Sequence, residues 1–388
     1  MFLDLQEKDK IEYYQKMLGT IGSLSRLFSE SNEPYIQYRI AENLFCKAFD
    51  AENLSRTDCS ADASKNKIGI GIKTFLENNG ATIQKVAEFN GDHSLFKNLE
   101  GEEKIKKISE LRNERIETTK RIFGLDGMIY HCVTRKNNGI IVYETPMDLV
   151  DVGNISNVLV KKNSINFTDG INEYSFNITK STLYKRFLTS NRLLNFNVHI
   201  LENPFDALEN LFRTEDISLN FSEITKSEHI FLPLYSVRGG EKNVPERSGL
   251  NQWNAGGRSR DPNEVYIPIP AWIHRVFPNF LPPRDTAFTL ILPDKTEMSA
   301  KVCQENSKAL MSNPNSALGQ WLLRNVLNLG EREMLTYEKL QRIGLDSVVI
   351  YKTQDGKYDI DFTKEGSYEN FKSQSLLSDE DEDDLNDT

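Results

Sequence analysis

The chain has 388 residues, enough for two or three domains that each bury a hydrophobic core. It is 38% hydrophobic and has no run of about eighteen apolar residues, so the composition is that of a globular protein and excludes a transmembrane helix. The four cysteines and five histidines are scattered, without the spacing of a disulfide framework, a zinc site or a histidine-based nucleophile relay. The start lacks a signal-peptide pattern, so we expect a cytoplasmic protein with no membrane partner.

The net charge of −10 argues at first against a nucleic-acid partner. Seven acids and no base, however, lie in the final stretch "SDEDEDDLNDT". Acidic runs of this kind are most often disordered and solvated, and we therefore expect residues 366–388 to form a disordered tail. The rest of the chain is nearly neutral, which allows local basic surfaces that bind DNA.

The amino-terminal part mixes helices and strands. Residues 1 to about 55 are predicted to be helical, and the strands "KIGIGIKTF" and "TIQKVAEF" and the charged helix "GEEKIKKISELRNERIETTKRIF" follow. Two hairpins are predicted next, turning at Asn138-Gly139 and at Asp169-Gly170. "KSTLYKRFL" is predicted to be a basic helix that closes the unit. This order indicates an α/β or α+β domain over residues 1–225.

The carboxy-terminal part, residues 226–365, is richer in short strands. The predicted strands are "VYIPIP", "FTLILP", "EMSAKVCQ", "SVVIYK" and "YDIDF", with the short helices "ALGQWLLRNVLNL" and "TYEKLQRIG" between them. Many short strands with few helices are typical of a small, mostly-β barrel.

One amino-terminal strand carries candidate chemistry. The isoleucines of "KIGIGIKTF" alternate, which leaves two glycines and Lys73 on the other face of the strand, and Asp62 precedes it. Phosphodiester hydrolysis can use Mg²⁺ held by one or two carboxylates, with a lysine that orients the attacking water and stabilises charge. Asp62 and Lys73 fit these roles, and we expect the glycines to let a metal or phosphate approach the strand closely.

This stretch resembles the PD-(D/E)XK nuclease core. That family has an acid two residues before the lysine, where this chain has Gly71. The missing carboxylate must then come from elsewhere, and the main candidates are Glu42, on the preceding helix, and Glu88, on the next strand. Asp58 and Glu144 are weaker candidates. The metal ligands are thus predicted among Asp62, Glu42 and Glu88.

Two polar stretches of the carboxy-terminal part have residues suited to reading DNA. The first, "SGLNQWNAGGRSRDPNEVYIP", contains Asn251, Gln252, Trp253, Asn254, Arg258 and Arg260. Arginine can pair with guanine, and asparagine or glutamine with adenine, through two hydrogen bonds in the major groove. The second, "NSKALMSNPNSALGQW", contains Lys308, Ser312, Asn313 and Asn315. Asn315 or Ser316 is equally suited to cap the helix that follows.

Residues from about 228 to 362 resemble the DNA-binding pseudobarrel of restriction endonucleases of the EcoRII and BfiI type, which is related to the plant B-three domain. The matching motifs are "GLNQWNAGGRSR", "EVYIPIPAWIH", "AKVCQENSKALMSNPNSALGQWLL" and "LDSVVIYK". The resemblance implies two arms that grip the major groove, at residues 248–260 and 306–316. The paired His-x-Lys motifs of the metal-independent BfiI-type nuclease are absent.

Together the two halves are similar to a type II restriction endonuclease. Such an enzyme implies double-stranded DNA as substrate, Mg²⁺ as cofactor, a homodimer that cuts both strands, and a cognate DNA methyltransferase in the same system. The alternative is a non-catalytic DNA-binding regulator whose nuclease core has decayed, which Gly71 keeps open. A strand-nicking repair endonuclease is a third possibility.

Overall fold

The computed structural model describes residues 1–54, 59–77, 80–189, 192–214, 228–353 and 355–386. The chain divides into two compact units, one of residues 1–120 and 125–224 and one of residues 121–124 and 225–388. The boundary predicted near residue 225 and the candidate Asp58 both lie outside the described residues. Within the described ranges, no helix is long and apolar enough to cross a membrane.

The first unit contains five helices and eleven strands among its described residues. The helices are α1 (Lys8–Ser23), α2 (Tyr38–Phe49), α3 (His93–Phe96), α4 (Gly101–Phe123) and α5 (Pro204–Thr214). The strands are β1 (Glu52–Asn53), β2 (Ala63–Lys65), β3 (Ile68–Leu76), β4 (Ala81–Glu88), β5 (Gly127–Lys136), β6 (Gly139–Pro146), β7 (Ser156–Val160), β8 (Ser164–Thr168), β9 (Glu173–Asn177), β10 (Thr182–Leu188) and β11 (Leu194–Asn197).

These strands form two sheets. The first has the order β1-β2-β3-β5-β6-β11, with β3 and β5 parallel, and the second has the order β4-β10-β9-β8-β7. The buried faces of α1 and α2 pack on one face of the first sheet, against Ile70, Ile72 and Val133. Isoleucines at every second position of β3 therefore all reach this core, as the alternation predicts. Helix α4 packs on the second sheet through Ile105, Ile108 and other apolar residues.

Both hairpins predicted in this unit are confirmed, and one predicted helix is wrong. Strands β5 and β6 pair through a two-residue turn at 137–138, one residue before the predicted turn, and β8 and β9 pair around Asp169-Gly170. The segment predicted as a basic helix is strand β10. Its inward positions are Leu183, Lys185 and Phe187, all buried. A lysine at an inward position hides the period of two that would have indicated a strand.

The second unit is built mainly of strands. Its strands are β12 (His229–Pro233), β13 (Ser236–Arg238), β14 (Glu241–Asn243), β15 (Ile267–Pro268), β16 (Ala287–Ile291), β17 (Glu297–Cys303), β18 (Ala309–Ser312), β19 (Leu345–Lys352) and β20 (Tyr358–Lys364). Its helices are α6 (Ala271–Val276), α7 (Ala317–Gly319), which continues into a π-helical turn over Gln320–Val326, α8 (Tyr337–Ile343) and α9 (Ser367–Asn386).

Seven of these strands form one sheet in the order β12-β19-β20-β16-β17-β18-β15. The two end strands, β12 and β15, lie close together, so the sheet curls into a nearly closed barrel. Its interior is filled by aliphatic side chains such as Leu232, Ile267 and Val348, all fully buried. The barrel expected for the carboxy-terminal part is present.

The tail prediction requires a correction at its start. Residues from 367 onward form α9, and Tyr368 is 9% exposed. The Phe371 ring lies 4.9 Å from that of Phe231 and 5.8 Å from that of Trp272. Two aromatic residues three positions apart place an apolar stripe on one side of a helix. This stripe precedes the acidic run. The folded part therefore extends beyond residue 366, at least as far as Phe371.

Candidate active site and nucleic-acid interface

Three of the predicted catalytic residues come together in the first unit. Glu42 lies on α2 and is 5% exposed, Asp62 immediately precedes β2, and Lys73 lies on β3. Because β2 and β3 pair antiparallel, Asp62 lies beside the middle of β3. One carboxylate oxygen of Asp62 accepts a hydrogen bond of 2.6 Å from the backbone N–H of Ile72. This bond fixes the carboxylate next to Lys73.

The charges of these residues act on one another. Burial raises the pKa of Glu42, the Asp62 carboxylate raises it further, and Arg39 and Lys73 partly offset both effects. Burial also raises the pKa of Asp62, against the opposing effects of Lys73 and the Ile72 N–H. Cys46 lies one turn after Glu42 on α2, and burial followed by the two carboxylates raises its pKa to about 11. The two acids therefore form a desolvated, mutually repelling pair.

Lys73 carries the positive charge of the group. Its Nζ lies 5.9 Å from the centre of the Tyr130 ring, and no ion pair holds it among the described residues. The Asp62 and Glu42 carboxylates act on Lys73 without forming an ion pair, so its ammonium remains available to an anionic substrate. Position 71, where the nuclease pattern has an acid two residues before the lysine, is glycine in this chain.

Two other predicted ligands are not part of this group. Glu88 ends β4 in the second sheet, where its carboxylate pairs with Lys85 at 3.0 Å and accepts from the Asn90 amide. Glu144 is fully buried, and its two oxygens contact His131 Nδ1 at 3.0 Å and the Leu3 N–H at 3.2 Å. Both carboxylates contact other partners, which the sequence did not indicate because a local pattern does not tell which sheet, or which face of a sheet, a strand segment joins.

The two glycines of β3 do not serve the predicted purpose. A Cβ at Gly71 would lie 2.7 Å from the Met147 methyl group and 3.2 Å from Tyr130. A Cβ at Gly69 would lie 2.7 Å from a methyl group of Leu125. Apolar side chains thus fill the space beside these two glycines, and neither a metal nor a phosphate can approach the β3 backbone at positions 69 and 71. An acid at position 71 would have to displace Met147.

The carboxylate pair fits a hard cation in its chemistry, although it is small. No group of three or more potential ligands exists among the described residues. Mg²⁺ retains several waters and is commonly held by one or two carboxylates. Glu42 is buried and Asp62 is partly exposed, and desolvation raises the pKa of both carboxyls; a divalent cation that removes their repulsion would therefore stabilise the pair. Glu42 and Asp62 are the residues that would hold it.

This electrostatic state predicts how stability depends on pH. A carboxyl whose pKa is raised in the folded state loses stabilisation as the pH rises through that pKa. Glu42→Gln should therefore raise the unfolding temperature in EDTA at pH 7, by about 2–4 °C for a gain of about 1 kcal/mol, and should gain little at pH 4.5. Its ion pair with Arg39, which is 48% exposed, contributes little.

Calorimetry of wild type and variant at the two pH values measures this difference. Glu30→Gln, which removes an exposed carboxylate from a surface ion pair, is the matched control and should show no gain. An equal gain for Glu42→Gln at both pH values would contradict the repulsion.

In the second unit, several candidate residues of the first predicted arm (248–260) form contacts that stabilise the arm itself. Asn251 is 1% exposed, and its amide bonds the backbone of Pro245 and both backbone polar groups of Leu335. Trp253 packs against the barrel core. Arg260 donates to the carbonyls of Ala255 and Gly256. Asn251 is buried and does not face DNA as predicted, and Trp253 and Arg260 also help to hold the arm together.

Arg258 is the basic residue of this arm that stays open. Its side chain is 55% exposed and pairs with Glu264, which is nearly fully buried. Asn254 is also exposed and donates to the Glu246 carbonyl, whereas Gln252 is half-buried with its amide oxygen inside. Glu264 was not predicted from the sequence, although an acid four and six residues after two arginines is a signal for such an ion pair.

The second predicted arm divides in the same way. Ser312 is fully buried, and its hydroxyl donates to the Pro314 carbonyl and accepts from the Leu318 N–H. It therefore caps the helix, a role that the sequence indicated for Asn315 or Ser316. Lys308, Asn313 and Asn315 are exposed. Within the described part of both arms, the predicted residues left open to DNA are Asn254, Arg258, Lys308, Asn313 and Asn315.

The comparison with known protein families found a match for the barrel of the second unit. Residues 224–354 match the family model of the NgoFVII C-terminal B3-like DNA-binding domain. The nearly closed barrel is consistent with a B3-like domain. The match covers about a third of the chain and does not include the unit that carries Asp62 and Lys73. No curated protein matches the sequence.

The match to a DNA-binding domain of a restriction-enzyme family supports DNA as the partner of this protein. The nearly closed sheet with two polar loops agrees with this family. Sequence-specific binding in a restriction system is what such a domain suggests.

Proposed function

We propose that this protein is a type II restriction endonuclease, which binds a DNA sequence through the B3-like domain and hydrolyses a phosphodiester bond in each strand at the Glu42–Asp62–Lys73 site. The observation that supports cleavage is the position of Asp62, whose carboxylate is bonded to the backbone beside Lys73 with Glu42 in electrostatic reach. A structural role alone does not call for two desolvated acids beside an unpaired lysine.

The chemistry divides between these side chains and their cation. Mg²⁺, when bound by Glu42 and Asp62, supplies charge neutralisation of the phosphate and a more acidic water. Lys73 stabilises the negative charge that builds up on the phosphate oxygens as water attacks phosphorus. The phosphorus–oxygen ester bond breaks, and the leaving oxygen takes up a proton from solvent. Tyr130, beneath the Lys73 ammonium, limits the positions that this side chain can adopt.

A double-strand cut requires two active sites or two successive events. We infer a homodimer, because pairing two copies places one site on each strand. A host that carries such an enzyme must protect its own DNA, so a cognate methyltransferase belongs to the same proposal.

The proposed function is tested by digestion. The protein is incubated with phage DNA and with supercoiled plasmid in Mg²⁺, and the ends of the products are sequenced. Discrete fragments with one recurring end sequence are expected. Nicked circles without linear product would favour a strand-nicking endonuclease, and binding without any cleavage would contradict a nuclease.

The second candidate is a non-catalytic DNA-binding regulator. One observation favours it: Gly71 replaces the acid of the nuclease pattern and is closed over by Met147 and Tyr130. If this candidate is right, the protein binds one DNA sequence tightly and leaves it uncut in Mg²⁺ and in Mn²⁺.

The arm geometry predicts one determinant of sequence specificity. Arg258 is exposed and is oriented by Glu264, which suits a paired contact to guanine. Arg258→Ala should weaken binding to the specific site by roughly 1–3 kcal/mol and relax the preference at one base pair. Arg284→Ala, which removes an equally exposed arginine, 55% in both cases, is the control.

Competition binding to specific and random duplexes measures both effects. An equal loss on the two duplexes for Arg258→Ala would show that the residue contacts phosphate and not a base.

A further inference from the structure

A small cavity adjoins Lys73 on the side of the first sheet that faces α4. Its volume is about 40 Å³, and its polar lining consists of Ser60, Lys73, Arg112, Arg115 and Tyr130. All five belong to the first unit. Three of the five carry a positive charge, and no carboxylate lines the cavity.

Arg112 is the unusual member of this lining. It is 2% exposed, and a guanidinium stays charged in proteins. Its Nη atoms donate to the Asp148 carbonyl at 2.7 Å and reach the Tyr130 hydroxyl at 3.4 Å, and its Nε has no partner. No ion pair compensates it within the described ranges. Because buried charge without an ion pair is costly, an anion beside Arg112 would be stabilised.

A second buried cation lies nearby. Lys185 is 2% exposed, its Nζ has no hydrogen-bond partner, and it lies 5.8 Å from the Tyr130 ring centre. The carboxylates closest in effect are those of Asp148 and Asp169. Asp169 is engaged by three backbone N–H groups, and Asp148 is 3.5 Å from the Asn172 amide nitrogen. Neither carboxylate forms an ion pair with Lys185 or Arg112 among the described residues.

Arg115 is different, because Asp92 neutralises it. Its Nη2 pairs with Asp92 at 2.6 Å, and its Nη1 donates to the Glu88 carbonyl. Among the described residues, the cations around the Tyr130 ring that form no ion pair are thus Lys73, Arg112 and Lys185. The cavity is small, and Lys73, Arg112 and Arg115 line it while Lys185 lies behind Tyr130, so its lining suits one small anion.

We propose that this cavity binds one phosphate group of the DNA, next to the phosphate that is cleaved. The anion satisfies the Arg112 guanidinium and anchors the strand beside Lys73. The inference rests on the proposed function for the identity of the ligand, but not for the presence of an anion site. Arg112 is then a positioning residue, because it orients the substrate through a phosphate that does not react.

The test uses inorganic phosphate as the probe and full-length protein without Mg²⁺. At constant ionic strength, phosphate should raise the unfolding temperature more than chloride does, and calorimetric titration should give one site. Arg112→Gln retains a donor for the Asp148 carbonyl and should weaken phosphate binding at least tenfold. Lys106→Gln, which removes an exposed lysine from the same helix, should bind phosphate as the wild type does.

A second variant keeps the proposal testable if Arg112→Gln does not fold. Lys185→Met removes a buried, unpartnered charge, so it should fold stably and still weaken phosphate binding. An absence of any phosphate effect in the wild type, or equal phosphate binding in wild type and both variants, would overturn the proposal.

Steady-state kinetics of DNA cleavage test whether the anion site binds DNA, and they distinguish a failure of this inference from a failure of the proposed function. Arg112→Gln should raise KM for cleavage at least tenfold and leave kcat within about threefold. Phosphate binding without DNA cleavage would refute the nuclease and keep the anion site. Cleavage with an unchanged KM in Arg112→Gln would refute the phosphate role and keep the nuclease.

Discussion

The Lys73→Met variant is expected to bind its DNA site as tightly as the wild type and to cleave it between about a hundredfold and ten-thousandfold more slowly. Methionine keeps the length and the apolar stem that packs beside Tyr130 but removes the charge. The lost interaction is stronger with the transition state, in which phosphate charge has increased, than with bound DNA. Single-turnover cleavage and a gel-shift assay in EDTA measure the two effects separately.

Lys67→Met is the matched control for this prediction. Lys67 lies in the turn between β2 and β3 and is exposed, so its replacement should leave cleavage unchanged. A Lys73→Met variant that cleaves at the wild-type rate would remove Lys73 from the mechanism.

The Asp62→Asn variant is expected to lose cleavage on the order of a thousandfold at low Mg²⁺. Asparagine retains an oxygen that accepts the Ile72 N–H, so the backbone of β3 keeps its partner. What disappears is one of two negative charges available to the cation. The Mg²⁺ concentration needed for half-maximal rate should therefore rise, and high Mg²⁺ should restore part of the activity.

Asp50→Asn tests whether any nearby acid would have the same effect. Asp50 forms an exposed pair with Lys10 at 2.8 Å, and such pairs contribute little to stability. We expect wild-type Mg²⁺ dependence from this control. An Asp62→Asn variant with wild-type Mg²⁺ dependence would show that the cation is held elsewhere.

The sequence predicted local pairing well and the assignment of strands to sheets poorly. Hairpins follow from neighbouring residues, so Asp169-Gly170 indicated its turn correctly and the turn before Gly139 was misplaced by one residue. Asp62 meets Lys73 because β2 and β3 are joined by a short turn. Glu88 belongs to the next strand along the chain, yet that strand joins the second sheet. Which sheet a strand joins depends on contacts between residues distant in sequence.

Polar residues in the arms show a second limit. Asparagine, serine and arginine suit base edges because they offer several donors and acceptors, and the same property suits them to hold loops. Asn251 bonds two distant carbonyls and one N–H, and Ser312 caps a helix. Sequence alone does not distinguish these uses, since both need the same atoms. The exposure of the side chain distinguishes the two uses: Arg258 is exposed and can reach DNA, whereas Asn251 is buried.

The buried cation beside the proposed active site, Arg112, could not be predicted from sequence patterns. Arg112 lies in a helix of alternating charges, where an arginine is expected to be solvated. Only the packing of α4 against the second sheet turns it inward. The buried, uncompensated charge is therefore a property of the tertiary fold.

The central claim is that Glu42, Asp62 and Lys73 act on a phosphate that the B3-like domain selects. The most direct test is a structure of the protein with its DNA site and Ca²⁺, a cation that commonly supports binding without cleavage. We expect Ca²⁺ to contact Asp62 and Glu42, with a backbone phosphate between it and Lys73. A complex in which DNA lies on the barrel while these three residues contact neither cation nor phosphate would contradict the claim.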